Sequence, residues 1–383
     1  MSSDPEKTLQ RLADLREKAP EKFQAPLLAI EDAFEKKLWH ELTTHLVEFF
    51  ADDETEDVRL RLFTNFVSTF SEKVNALKYV YMGLLVAEDL DEDSDRLRFF
   101  TELTKKVDKP TTQDAYVYSL VALADVKLQL KELDEARKDL DKAESILDTF
   151  DSVETEVHAA FYRTNARYYQ AKLEFAPFYR NALLYLACID LKTLSIEEAQ
   201  SRAYDLSLAA LVSDSIYNFG ELLLHPILDS LIKTKHAWLR DLLSAYNSGD
   251  LGAYNRLEGH LSSVKLLEEH KHFLRQKISL SALTEAVFRR SPHDRAMTFE
   301  TIAKETQVSP AEIEILIMKA LSLGLLRGSI DQVAEIARIN WVQPKVLNMS
   351  QIENMRSRLK EWDSSVNQLG NWIEGVGKEV WAS

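Results

Sequence analysis

Thr298–Val342 reads TFETIAKETQVSPAEIEILIMKALSLGLLRGSIDQVAEIARINWV, and its punctuation decides the fold. Ser309-Pro310-Ala311-Glu312 has the form of a capping box with proline at the first helical position, where its missing N–H costs nothing. Gly324 stands where a helix closes in the left-handed conformation. Between them Ile313, Ile315, Leu316, Ile317, Met318, Leu321 and Leu323 make a helix apolar on nearly every side. A hairpin follows: out along Leu325 to Arg327, through a turn at Gly328-Ser329, and back from Val333 to Val342. Its strand residues are Ile336, Ile339 and Trp341, and Pro344 stops it. Helix, turn, helix and hairpin give the outline of a winged helix. A module of this kind that grips DNA needs a basic face, because counterion release supplies most of the affinity. Here Lys304, Lys319, Arg327 and Arg338 face six acids (Glu300, Glu305, Glu312, Glu314, Asp331, Glu335), a net of −2. An all-round apolar helix is buried, within its own chain or against a partner. The module reads as an assembly device.

The wider composition agrees. Ten glycines and nine prolines in 383 residues are less than half the usual share of about 12%, which predicts a mainly helical chain. A net charge of −15 disfavours nucleic acid and anionic lipid as partners. No apolar run approaches the length needed to span a bilayer, and Met1–Glu6 lacks a signal-peptide pattern. The lone Cys188 cannot form an internal disulfide and lies in an apolar run, so a soluble protein in a reducing, intracellular compartment is expected.

Upstream, to about residue 176, amphipathic helices alternate with short polar turns. Asp114–Leu130 sets Val117, Leu120, Val121, Ala124 and Leu128 on one face. A turn at Lys131-Glu132 leads to a second helix carrying Leu133, Ala136, Leu140, Ala143, Ile146 and Leu147. The pair recurs about 43 residues later, matching Leu130 to Leu173 and Leu140 to Leu183. Helix pairs at that period predict a tetratricopeptide-like solenoid. Residues 177–345 continue as helices into the winged helix at about 296–345. Ser195-Ile196-Glu197-Glu198 forms another capping box, and Asn247-Ser248-Gly249-Asp250 a turn between helices.

The remaining segment, 346–383, has one dominant pattern. Apolar residues fall at Ile352, Met355, Leu359, Trp362, Val366, Leu369, Ile373, Val376 and Val380, at gaps alternating between three and four. That is a heptad seam, and an isolated helix of this kind is marginal in water. It requires partner helices.

A search for chemistry finds little. Asp91–Asp95 resembles the start of a calcium loop, but Arg96 takes the position that needs glycine. His270 and His272, beside Glu268 and Glu269, lack a third ligand at fixed spacing, and His40 and His45 flank no metalloprotease motif. There is no nucleophile elbow, phosphate loop or dinucleotide turn. No cofactor, metal or catalytic residue is expected. Arg289, Arg290, His293 and Arg295 form a small basic cluster opposed by Asp294, suited to an acidic neighbouring subunit. The aromatic run from Phe161 to Tyr185 reads as solenoid core.

A helical-repeat N-terminus leading into a winged helix resembles the PCI-domain proteins, scaffold subunits of the proteasome lid, the signalosome and a translation initiation factor. Five blocks in order look like a PCI subunit of the proteasome regulatory-particle lid: Lys36–Leu42, Tyr217–Pro226, Ala245–Gly249, Met318–Leu325 and Trp341–Leu347. The resemblance implies a non-catalytic scaffold in a hetero-oligomer of the cytoplasm and nucleus. Its implied partners are other lid PCI subunits, the lid's metalloprotease (deubiquitinase) pair and a nearby ubiquitin receptor. It further implies that the wing hairpin, with Ile336, Ile339 and Trp341 at or beside the junction, joins neighbouring hairpins edge to edge. The C-terminal helix would enter a shared bundle through Ile352, Met355, Leu359, Trp362, Val366, Leu369 and Ile373.

Overall fold

The computed structural model describes residues 5–150, 154–290, 294–346 and 349–381. The chain is mainly helical, with one three-stranded sheet among the described residues, and it divides into two compact units, Met1–Thr193 and Leu194–Ser383.

The first unit is the predicted helical-repeat solenoid. Gln113–Gln129 packs on Leu133–Leu147, and Thr155–Ala171 on Phe175–Cys188. Gln113–Gln129 is also covered by Asp93–Val107 and Thr155–Ala171, so Val117, Leu120, Val121 and Ala124 are all buried. Phe161, Tyr168, Phe178, Tyr179 and Tyr185 are core residues, as read from the sequence. The acidic segment at Asp91–Asp95 runs into the helix Asp93–Val107, and Arg96 Nε donates to the Leu90 carbonyl at 2.8 Å.

The repeat has a structural register of its own. Three inter-helix turns share one geometry, with a left-handed residue at Lys37 (φ 57°), Lys131 (φ 65°) and Leu173 (φ 59°). In each the next amide reaches back to a helix carbonyl: Leu38 to Ala33 at 2.9 Å, Glu132 to Lys127 at 2.9 Å, Glu174 to Tyr169 at 3.0 Å. This is the bond pattern of a helix C-cap normally closed by glycine. Leu173 thus matches Lys131, an offset one residue shorter than the hydrophobic pattern suggests. The helix Phe175–Cys188 packs along Thr155–Ala171.

In the second unit, helices Ile196–Val212, Trp238–Ser248, Leu251–Leu261 and Lys271–Arg289 precede the winged helix. Ser195 Oγ accepts the Glu198 amide at 3.2 Å, as its capping box predicts. Gly249 closes Trp238–Ser248 at φ 66°, and Asp250 caps the next helix through the Ala253 amide at 3.0 Å. A Cβ on Gly249 would lie 2.7 Å from Ala282 Cα, so the turn packs backbone to backbone on Lys271–Arg289. Lys277, almost fully buried, donates to the carbonyls of Ala210, Leu211 and Ser213 at 2.8, 3.0 and 2.6 Å. Three of the orphan acceptors around the end of Ile196–Val212 are thereby satisfied.

Candidate subunit interface

The winged helix is built from β1 (Ala296–Thr298), helices Phe299–Thr306 and Ile313–Ser322, β2 (Leu326–Asp331) and β3 (Ile336–Val342). Its core gathers Met297, Ile302, Ile313, Leu316, Ile317, Ala320, Leu326, Ala337 and Ile339. Pro310–Glu312 is a 3₁₀ turn, and Ser309 Oγ bonds the Glu312 carboxylate at 2.8 Å instead of a backbone amide. Gly324 takes the expected left-handed conformation, φ 70°.

The hairpin differs from its sequence reading in three ways. First, the strands are longer and the turn later: β2 runs through Gly328-Ser329, and the reversal comes at 332–335, where Glu335 has φ 53°. Second, β1 pairs with β3, giving the order β1-β3-β2, so β3 is the central strand and the sheet's edges are β1 and β2. Third, the pairing skips a residue: Arg327 faces Trp341 while Gly328 faces Ile339, leaving Asn340 as a bulge.

The bulge sorts the three predicted interface residues. Ile339 is 5% exposed and belongs to the winged-helix core. Trp341, half-buried, pairs with exposed Arg327, whose guanidinium lies 4.6 Å from the indole centroid. Ile336, also half-buried, pairs with Thr298 and Asp331. Strict alternation would have set Trp341 on the face of Ile339; the inserted Asn340 reverses it. Gly328 allows the close approach, since a Cβ there would sit 2.2 Å from the Arg338 carbonyl oxygen. We expect Gly328→Ala to destabilise the wing by about 2 kcal/mol, the scale of an overpacked core position, read as a lower midpoint in urea unfolding.

Helix Ile313–Ser322 turns Ile313, Leu316, Ile317 and Ala320 inward, while Ile315 and Met318 stay about half exposed. The apolar excess seen in the sequence is therefore only partly covered by the chain itself. Three of the wing's four cations are engaged locally: Lys304 pairs with Glu300 at 2.8 Å, Lys319 bonds Gln276, and Arg327 covers Trp341. In the basic cluster Arg289 Nε bonds Glu285 at 3.2 Å and Arg290 lies 3.8 Å from Asp294; His293 is outside the described residues.

The terminal helix, Met349–Trp381, is the largest unpartnered element among the described residues. Ile352, Met355, Leu359, Trp362, Val366, Leu369 and Ile373 are 46–68% exposed, and Trp372 adds another indole. Val376 and Val380 lie outside the described side chains. No helix among the described residues is long and apolar enough to cross a membrane, and no group of three or more His, Cys, Asp or Glu side chains there could hold a metal.

Solenoid, helical segment, winged helix and projecting terminal helix define a PCI-domain protein. Family models match in the same order: PSD13 N-terminal repeats over residues 27–243, the PCI domain over 251–341 and the Rpn9 C-terminal helix over 345–377. The chain belongs to the family of 26S proteasome regulatory subunit RPN9, also called non-ATPase regulatory subunit 13. It is 47% identical over 369 residues to the probable regulatory subunit rpn9 of Schizosaccharomyces pombe, covering 96% of each chain. Identity is 38% over 384 residues to RPN9 of Saccharomyces cerevisiae, with 97% of each covered. The Dictyostelium discoideum non-ATPase regulatory subunit 13 is 35% identical over 365 residues, 93% of this chain and 94% of that one. A translation initiation factor 3 subunit M from Drosophila willistoni matches at 26% over only 36% of this chain, so the initiation-factor reading has less support.

Proposed function

We propose that this chain is a non-catalytic scaffold subunit of the 26S proteasome regulatory-particle lid, acting in lid assembly and through it in ubiquitin-dependent degradation. The observation that carries the reading is the 33-residue terminal helix with its apolar seam open to solvent. A long helix gains most of its stability from packing an apolar face, so this one is built for a helical bundle. The lid's deubiquitinating metalloprotease pair and other PCI subunits would supply the remaining helices, with a ubiquitin receptor close by, in the cytoplasm and nucleus. Three working parts divide the labour: a solenoid over 1–176, a PCI domain over 177–345 and an assembly helix over 346–383.

The second contact is the wing. β2 is an edge strand with unpaired backbone groups that a neighbouring subunit's strand can take up. Ile336 and Trp341 would flank that junction, while Ile339 supports it from inside. Buried charges are committed to structure: Lys277 to backbone carbonyls, Arg59 to Asp89 at 3.1 Å, Glu285 to Arg289. This supports a positional role over a catalytic one.

Affinity purification of the tagged chain with mass spectrometry tests the reading. Proteasome lid subunits should co-isolate in stoichiometric amounts; recovery of signalosome or initiation-factor subunits instead would overturn it. For the wing, Trp341→Asp should weaken pull-down of a neighbouring PCI subunit roughly tenfold, the size of a single interface residue worth about 1.4 kcal/mol. The variant changes a half-buried surface position, so the fold should survive, as circular dichroism can check.

A further inference from the structure

Three stretches far apart in the sequence, Tyr217–Pro226, Ala245–Gly249 and 341–346, meet where β3 runs on towards the terminal helix. The Gln343 amide donates to the Leu325 carbonyl at 2.9 Å, tying the linker to the wing. Lys345 has only 11% of its side chain exposed; its Nζ lies 3.4 Å from the Asn247 carbonyl and 3.9 Å from Glu285, whose side chain is 9% exposed. The other Glu285 oxygen accepts from Arg289. Val346 packs on Gly220, the first residue of the helix Gly220–Leu224, so closely that a Cβ there would be 2.6 Å from Val346 Cβ. The Asn218 side chain in turn accepts the Gly220 amide at 3.1 Å.

A connecting segment is ordinarily solvated, and lysine is among the residues least often buried. Here three of four consecutive linker residues are each held by a different element. From Ile352 onward, by contrast, the described side chains are exposed as far as Gly375. The held residues, as far as Val346, thus stand a few positions ahead of the exposed seam.

We propose that Gln343–Val346 is an anchor that fixes the root of the terminal helix, with Gly220 and the Lys345–Glu285 pair as positioning residues for its docking. The inference rests on the assembly role argued above. A helix held at its root enters a bundle with part of its orientational entropy already lost, and its effective concentration at the docking site is higher. Releasing the root should therefore weaken assembly without removing a single bundle contact.

The test uses the full chain, added to lid subunits lacking it and titrated on native gels. One arm is Gly220→Ala, which displaces Val346. A second is Lys345→Met with Glu285→Gln, which removes the ion pair at similar volume. Both should raise the concentration for half-incorporation on the order of tenfold and speed amide exchange at Gln343, Lys345 and Val346. Exchange elsewhere in the second unit and the thermal midpoint should stay parental in both variants, which a merely destabilised fold would not allow. Parental incorporation by both anchor variants, with or without faster exchange, overturns the inference. A chain ending at residue 348 separates the two readings: if it incorporates normally, the helix itself is not the assembly element; if it fails while the anchor variants succeed, only the anchor is lost.

Discussion

Replacing Leu359 and Trp362 together by aspartate will leave the free chain as stable as its parent and will abolish its entry into the lid. The asymmetry follows from where the side chains stand. They are 58% and 68% exposed in the free protein, so charging them removes little buried apolar surface there. In a bundle both would sit on the seam, where burying a large apolar side chain contributes about 1.5–3 kcal/mol and an unpaired carboxylate costs more. A combined loss of at least 4 kcal/mol is a factor of about a thousand in affinity. Native-gel assembly should show no incorporated variant at concentrations that saturate with the parent, while the thermal midpoint of the free chain moves by about 1 °C or less. Full incorporation would remove the seam from the mechanism. A large drop in the midpoint would mean the helix packs on its own chain, contrary to the exposure of its seam.

The seam was legible in the sequence because alternating gaps of three and four residues carry their own meaning: helix period fixes which residues share a face. Solenoid and PCI helices were legible for the same reason, and the caps at Ser195 and Gly324 fell where their chemistry demands. What failed to show was everything decided by a second strand. Met297 and its neighbours in β1 form only three residues of strand, too short for a periodic signal, and without β1 nothing reveals that β3 is central. Asn340 is an ordinary strand-flanking residue until Arg327 and Gly328 are seen to face Trp341 and Ile339. Gly328 looked like a turn because glycine usually marks one; its other use, letting two backbones approach, leaves no local trace. Likewise Lys131 and Leu173 hold left-handed turns that ordinarily advertise themselves with glycine. Of the proposed interface residues, the helix set shares a face that the spacing alone defines, and its side chains are exposed. The wing set needed the bulge to separate Ile339 from Trp341.

Lys277 was invisible for a related reason: a lysine in a helix reads as surface, and only packing reveals it as a buried cap. Its role sets up the second large effect. Lys277→Met should lower the stability of the second unit by about 3–5 kcal/mol, the cost of leaving three buried carbonyls without their donor at about 1–3 kcal/mol each, less the desolvation the ammonium no longer suffers. Two opposing terms must be compared. Burial depresses the Lys277 pKa, so the charge is costly to hold there. Against that, three carbonyls accept from Nζ at 2.6–3.0 Å, and the faces of Tyr217, Phe219 and Phe273 lie 5.2–5.6 Å away. Hydrogen bonds from a charged donor contribute about 1.5–3 kcal/mol each, and ring faces about 0.5–2 more. Methionine keeps the volume but donates nothing, leaving the Ala210, Leu211 and Ser213 carbonyls without their donor. With two to four degrees lost per kcal/mol in a unit of this size, the thermal midpoint should fall by about 6–20 °C. A midpoint within 2 °C of the parent would show that the carbonyls are satisfied without the ammonium. If the midpoint falls as expected, lid incorporation measured well below it should still proceed, because Lys277 lies in neither proposed interface.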